Sequence, residues 1–337
     1  MREFNVAIVG ATGLVGQEFI KVLEQRHFPL ESIHLYASDR SVGRKLFVNH
    51  QEVEVQETTP ESFKNIDIAL FSAGAEISRY FSPIAAKAGA VVIDNSAAFR
   101  MEPDVPLVVP EVNPEDIKYH KGIIANPNCS TIQMVVALYP LHKVNPIKRI
   151  VVSTYQAVSG WGLAAMEELT AQARLVLEGK EAVPQVLPHQ IAFNLFPEID
   201  VFAEDGYTKE EWKMVKETQK IMHAPDIAIS ATCVRVPVYI GHSEAVTLEF
   251  SEPMPPEEAR QILSQAPGIK VMDEPSAHFY PYPLLAAGTD DVFVGRIRKD
   301  LSHPNGLVMW VVADNLRKGA ALNAVQIAEE ILRRGWL

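Results

Sequence analysis

At 337 residues the chain is longer than one hydrophobic core usually supports, so two domains are expected, and a hydrophobic content of 47% suffices to pack both. A formal net charge of -11, from 42 acidic against 31 basic residues with no long run of Lys or Arg, argues against nucleic acid or an anionic membrane as partner. No apolar run reaches membrane-spanning length and the first residues carry no secretory pattern. The two cysteines, Cys129 and Cys233, lack metal-site spacing with histidine, so the expectation is a cytoplasmic protein with neither a metal site nor a disulfide framework.

The chain begins with an apolar run over 5–10 that passes into Gly10-Ala11-Thr12-Gly13-Leu14-Val15-Gly16 and an amphipathic segment through Leu23, which reads as strand, glycine turn and helix. Such a turn lets the backbone approach a pyrophosphate while the helix N-terminus supplies N–H groups and a positive dipole end. The spacing is Gly-x-x-Gly-x-x-Gly, not the commoner Gly-x-Gly-x-x-Gly, and a turn serving packing alone is the alternative. A second strand, 33–37, ends in Ser38-Asp39-Arg40-Ser41, where dinucleotide folds read the adenosine ribose. Asp39 favours NAD there, whereas Arg40, Ser41 and the nearby Arg44 and Lys45 favour the 2′-phosphate of NADP, the preferred reading.

Alternation over 45–56, a buried strand over 66–72, a helix over 75–88 and a strand over 90–94 continue the pattern of strands alternating with helices, which implies a parallel sheet. Arg100 follows the last of these in Asp94-Asn95-Ser96-Ala97-Ala98-Phe99-Arg100. Its fork suits phosphate or carboxylate, although an ordinary surface arginine fits the same position.

After Asn126-Pro127-Asn128, Cys129 opens an apolar segment in which Ile132, Val135, Val136 and Tyr139 recur at helical spacing up to Pro140. A cysteine in a first helical turn lies beside N–H groups without an intrahelical partner, which favours the thiolate and hence nucleophilic catalysis. A buried structural thiol is the alternative. Beyond it come a strand over 147–158, a helix over 163–178, and longer strands over 227–239, 245–251, 292–299 and 307–313, with helices at 209–222 and 256–265. The expected architecture is α/β: a Rossmann-like dinucleotide-binding domain over 1–128, completed by a C-terminal helix within 315–337, and an α+β second domain over 129–314 on a mixed sheet.

Within the second domain, Arg235 lies in an otherwise apolar strand and needs an anionic partner, for which a substrate carboxylate would serve as well as a protein acid. His242 follows Gly241 and could manage protons for a cysteine, though it is one of ten histidines. Gln156 ends a strand in a polar turn. Lys213 and Glu210 stand at i,i+3, the spacing of a surface ion pair.

Taken together, Gly-Ala-Thr-Gly-Leu-Val-Gly at 10–16, Asn-Pro-Asn-Cys-Ser-Thr at 126–131, Tyr-Gln-Ala-Val-Ser-Gly at 155–160, Arg-Val-Pro-Val at 235–238 and Gly-His-Ser-Glu at 241–244 resemble, in this order and nearly end to end, the bacterial aspartate-semialdehyde dehydrogenases. The resemblance implies a homodimeric NADP-dependent enzyme that converts L-4-aspartyl phosphate to aspartate 4-semialdehyde at the branch toward lysine, methionine and threonine, with a second domain for catalysis and dimerisation. It makes Cys129 the acyl-thioester nucleophile, His242 the acid/base and Gln156 the residue that orients substrate near the sulfur. It pairs Arg235 with the substrate carboxylate and Glu210 with its ammonium, and gives Arg100 and Lys213 to phosphate. Gly10, Thr12, Gly13, Leu14, Val15, Arg40, Ser41, Ser159, Gly160 and Asn315 fall to the cofactor. Trp161 departs from the small residue expected there. N-acetyl-glutamyl-phosphate reductase and a catalytically silent dinucleotide-binding paralogue stand as rival readings, and Asn128 before Cys129 favours the aspartyl enzyme.

Overall fold

The computed structural model describes residues 2–337. They form two compact units, one running to Asn128 and resumed by Ala320–Leu337, the other Cys129–Gly319.

The first unit is built on β1 (Phe4–Val9), α1 (Leu14–Gln25), β2 (Leu30–Ala37), β3 (Lys45–Val48), β4 (Gln51–Glu54), β5 (Gln56–Glu57), β6 (Ile68–Phe71), α2 (Ala75–Lys87), β7 (Val91–Asp94) and β8 (Ile123–Ala125). Its main sheet has the order β5-β2-β1-β6-β7-β8, all parallel. Along β1, Val6 and Ile8 pack with α1 and the C-terminal helix (Leu322–Arg334), while Ala7 and Val9 pack with Phe63, Phe71 and Ala85 on the other face. Burial on both faces is why these strands read as continuous apolar runs. The chain leaves β1 toward β2 on one side and returns to β6 on the other, so a crevice opens at their carboxyl ends, between the turn after β1 and the loop after β6. The alternation expected to continue to residue 56 is instead a separate hairpin, β3–β4, whose turn residues Asn49 and His50 both have positive φ, the geometry a two-residue hairpin turn needs.

The second unit contains α3 (Cys129–Val144), β9 (Ile147–Gln156), α4 (Leu163–Leu177), α5 (Lys209–Ile221), β10 (Ala228–Arg235), β11 (His242–Phe250), α6 (Pro256–Gln265), β12 (Ile269–Val271), α7 (Pro283–Ala286), β13 (Val292–Lys299) and β14 (Gly306–Ala313). Its mixed sheet runs β10-β9-β11-β14-β13-β12. Helix α3 is buried from Ser130 to Leu138, packed by the sheet together with α5 and α6, and that enclosure carries it through Pro140, where the sequence suggested a stop. Strand β10 ends at Arg235, short of the expected residue 239, because Pro237 cannot donate to a ladder. Residues 315–319, expected with the first domain, belong to this second unit: Asn315 bonds Ser159 and Gly241, and the Gly319 N–H donates to the Asp314 carbonyl.

Candidate active site

In the first unit the glycine turn divides its work. A Cβ on Gly10, whose φ is +89°, would lie 2.3 Å from the Ser72 carbonyl oxygen, and one on Gly16 would lie 2.2 Å from the Gly10 oxygen. Those two glycines exist for close packing. Gly13 meets only the Gly10 oxygen, at 3.4 Å, and caps α1 through its backbone alone, so the first N–H groups of the helix, including Leu14 and Val15, face no side-chain cap and no acid in the first turn. That is the construction of an anion cradle. Thr12 and Ser41 join through their hydroxyls at 3.3 Å, which brings the turn after β2 beside the cradle. Asp39 turns its carboxylate back onto the Arg40 N–H, 2.8 Å away, while Arg40 itself is exposed.

Arg100 is buried in the first unit, not an ordinary surface arginine. Its guanidinium donates from Nε to the Asn126 carbonyl at 2.9 Å and from Nη2 to the Asn95 carbonyl at 3.0 Å. The loop that carries it is tied down by buried Asp94, which accepts from Ser78 Oγ, Ser96 Oγ and the Ser96 N–H.

In the second unit the strand register assembles the site. Arg235 on β10 pairs with Gln156 on β9, and His242, one step before the Ser243–Tyr155 pair, stands opposite Ala313 on β14. Because side chains alternate along strands, Arg235, Gln156 and His242 form one row across the carboxyl end of β9 and share a face of the sheet. The row behind it is Cys233, Thr154, Glu244 and Val311, and the next is Ala231, Val152, Val246 and Met309. Polarity thus falls away row by row from the site into the core.

Each member of the front row is fixed. Thr154 Oγ1 donates to Gln156 Oε1 at 2.9 Å, so the amide nitrogen faces the other way and donates to Glu210 Oε1 at 3.1 Å. Arg235 Nη1 donates to the Ala157 carbonyl at 2.6 Å, and burial followed by the pull of Glu210 and Cys129 sets its environment; a guanidinium there stays charged. The Ala157 N–H donates to His242 Nδ1 at 3.0 Å. That bond places the ring proton on Nε2, a buried nitrogen with no protein partner. Burial, then the Arg235 charge, push the imidazole well below its ordinary value, so the ring is a neutral donor at Nε2.

Gly160 explains itself here: a Cβ would stand 3.1 Å from Arg235 Nη1 and 3.4 Å from His242 Nε2. Ser159 and Asn315 bond each other, and Asn315 Oδ1 accepts the Gly241 N–H at 2.9 Å, bracing the turn before His242. Trp161, half-exposed, lines a small cavity with Leu187, Pro188, Phe196 and Arg235.

Cys129 begins α3, its Cβ 2.9 Å from where a Cβ on Gly319 would be. One turn on, and therefore on the same helix face, Gln133 Nε2 donates to the His242 carbonyl at 3.3 Å. Helix α5 opens with a capping box in which Glu211 and Thr208 bond each other's backbone, and Glu211 Oε1 also accepts the Cys233 N–H at 3.0 Å. This anchors Glu210 beside Gln156 and aims Lys213 at Glu210 Oε2, 3.1 Å, and Asp200 Oδ2, 2.8 Å. Partial burial would raise the Asp200 carboxyl, but Lys213 and the Val201 N–H hold it below the ordinary range. The Glu210–Lys213 pair is therefore part of a partly buried triad with Asp200, in which Glu210 is the buried member, and not a solvated surface pair.

Sequence reasoning did not single out Thr154, Asp200, Glu211, Gln133 or Glu244. The Thr-x-x-Glu box at 208–211 was readable, and Thr154-x-Gln156 has the period of one strand face. Asp200 and Gln133 gave no local signal, and Glu244 appeared only as the last residue of Gly-His-Ser-Glu. Among the described residues no group of three or more His, Cys, Asp or Glu could hold a metal ion, and no helix is long and apolar enough to cross a membrane.

Comparison with known proteins agrees with the two-unit fold. Residues 5–120 match the semialdehyde dehydrogenase NAD-binding domain and residues 138–318 the semialdehyde dehydrogenase dimerisation domain. An aspartate-semialdehyde dehydrogenase of Aquifex aeolicus is 60% identical over 98% of this chain and 99% of its own. A crystal structure of aspartate semialdehyde dehydrogenase II from Vibrio cholerae complexed with ASA superposes with a TM-score of 0.96 at 50% identity, covering 99% of each chain. One from Candida albicans, solved with NADP, does so with a TM-score of 0.80 at 29% identity, covering 100% of each. An NAD(P)-binding α/β unit, an α+β unit on a mixed sheet and near-complete identity coverage establish that the chain belongs to the aspartate-semialdehyde dehydrogenase family of oxidoreductases.

Proposed function

We propose that the chain catalyses NADP-dependent reductive dephosphorylation of L-4-aspartyl phosphate to L-aspartate 4-semialdehyde through an acyl thioester on Cys129, as a cytoplasmic homodimer in lysine, methionine and threonine biosynthesis. The observation that carries the reading is the fixed row of Arg235, Gln156 and neutral His242, with the helix that starts at Cys129 bonded to it through Gln133. The names of the relatives and the semialdehyde-family match support the substrate, and the dimerisation-domain match supports the homodimer.

In this reading the Cys129 thiolate, favoured at a helix start, attacks the acyl carbon and the C–O bond to phosphate breaks, with the electron pair leaving on phosphate. Arg100 and Lys213 take up that charge. Arg235 holds the substrate carboxylate bidentately and Glu210, oriented by Gln156, holds its ammonium. When bound, the dinucleotide would have its pyrophosphate held by Thr12, Gly13, Leu14 and Val15 in the turn that Gly10 closes, and its 2′-phosphate by Arg40 and Ser41, with Ser159, Gly160 and Asn315 of the second unit toward its nicotinamide. When bound it supplies the hydride that reduces the thioester. The neutral His242 Nε2–H donates a hydrogen bond to the oxyanion on the former carbonyl and steadies its charge until the carbonyl re-forms and the C–S bond breaks, with the electron pair leaving on sulfur, which returns Cys129 as thiolate.

The test is the reverse reaction, followed by absorbance: L-aspartate 4-semialdehyde with NADP or NAD, with and without phosphate, alongside N-acetyl-glutamate 5-semialdehyde. Phosphate-dependent NADPH formation from the aspartyl compound is expected. Preference for the acetylated compound, or no reduction by folded protein, would overturn the reading.

A further inference from the structure

We propose that Glu244 is a positioning residue: with Gln133 it latches helix α3, which begins at Cys129, to strand β11, which begins at His242. The inference rests on Cys129 and His242 being the reacting pair.

Glu244 is fully buried in the row behind the site, where the mechanism gives it no task. Neither of its carboxyl oxygens makes a bond of standard geometry, and Gln133 Oε1 beside it is a buried acceptor without a donor. The His242 carbonyl can only accept, so Gln133 turns its nitrogen there and bears on Glu244 with the same amide. An ionised Glu244 would leave its two oxygens and Gln133 Oε1 sealed from water with one amide among them. A protonated carboxyl supplies the missing donor, and the costly arrangement becomes a closed one. Burial pushes the Glu244 carboxyl well above the ordinary carboxylate range, with Gln133 offsetting part of the effect.

The surroundings favour the neutral form. Across the sheet stand Thr154 and Val311, with Cys233 beyond Thr154, its thiol pushed up by burial and then by Glu210. On its own strand it follows His242, itself neutral. On α5 the nearby groups are the acids Glu210 and Glu211, and the Arg235 cation in the front row faces Glu210. A second anion behind the site would work against a thiolate at Cys129; a neutral acid joins helix to strand without that field.

Three variants decide it: E244Q, which keeps a neutral donor and acceptor of the same shape, and E244L and Q133L, which remove the latch while filling its volume. E244Q should keep kcat within about twofold. E244L and Q133L should lose kcat by about tenfold or more with KM little changed, because the nucleophile is displaced and binding is not. Iodoacetamide alkylation of Cys129, located by peptide mass, should follow the wild-type pH profile in E244Q and a shifted one in the other two. Stability supplies a readout that packing alone would not move. An acid whose folded pKa lies above its unfolded value of about 4.3 loses native stability as pH rises, so E244Q should gain on wild type as pH rises from about 4.3 toward neutrality.

The proposal is overturned if E244Q is as slow as E244L while folded, if E244L and Q133L both keep wild-type kcat and alkylation, or if wild type gains on E244Q with rising pH. The alkylation and stability arms need no turnover. A wild type that fails to reduce NADP would defeat the functional reading while these arms still decide the latch, and if E244L does not fold, Q133L and E244Q carry the test.

Discussion

One hydrogen bond, from the Ala157 N–H to His242 Nδ1 at 3.0 Å, decides how the imidazole works: it leaves the proton on Nε2 and the ring neutral. Because burial and Arg235 lower its pKa, the ring takes up a proton only well below its ordinary value of about 6.5. The pH profile of kcat/KM should therefore show no acid limb with a midpoint near that value, and a limb there would contradict the assignment. Stability gives the same sign. The unfolded histidine protonates first as pH falls below about 6.5, so wild type should lose ground to H242N on acidification, measured by denaturant unfolding.

Arg235 is buried with its Nη1 on the Ala157 carbonyl, and its fork is shaped for a carboxylate. Arg235→Lys keeps the charge but not two parallel donors. The loss of a charged hydrogen bond, about 1.5–3 kcal/mol, corresponds to a fall in kcat/KM of roughly ten- to a hundredfold. Steady-state kinetics with the semialdehyde varied will measure it, and an unchanged ratio removes Arg235 from the site.

Gly160 leaves no space for a side chain beside Arg235 and His242. Gly160→Ala should push both apart and lower kcat by about tenfold or more, since small displacements at a reacting centre are amplified. Its unfolding midpoint should move little by comparison, because the residue lies in a turn at the rim of the unit. A variant that loses stability but keeps full kcat would show the constraint to be one of folding alone.

Arg40 is exposed at the turn after β2, with Asp39 occupied by the backbone beside it. Arg40→Ala should raise the KM for NADP by about tenfold and leave that for NAD nearly unchanged, as expected for loss of a phosphate contact. Equal effects on both cofactors would place the 2′-phosphate elsewhere.

The fold was legible where one physical signal dominates. Continuous apolar runs marked the parallel sheet, and glycines between strand and helix marked the cradle turn. Of the front row, Arg235 stood out as a charge in an apolar strand, whereas Gln156 and His242, one of ten histidines, gained their meaning only from the motifs taken together. The support of that row was not legible. Thr154, Glu244 and Gln133 meet only through register across β9 and β11 and the packing of α3, which no local stretch encodes. Asp200 reaches Lys213 from a loop thirteen residues away. Pro140 misled for the converse reason: it is a local stop overridden by burial all round the helix. The shift of residues 315–319 to the second unit likewise depends on Asn315 finding Ser159, 156 positions earlier.

The central claim is the thioester on Cys129, and the most direct measurement is rapid mixing of the enzyme with L-4-aspartyl phosphate in the absence of dinucleotide. Wild type should release phosphate in a burst stoichiometric with enzyme and carry an aspartyl group on the peptide containing Cys129; Cys129→Ser should give neither while still binding NADPH. Wild-type NADPH oxidation without a phosphate burst or a modified Cys129, or a C129S variant with near-normal turnover, would contradict the account.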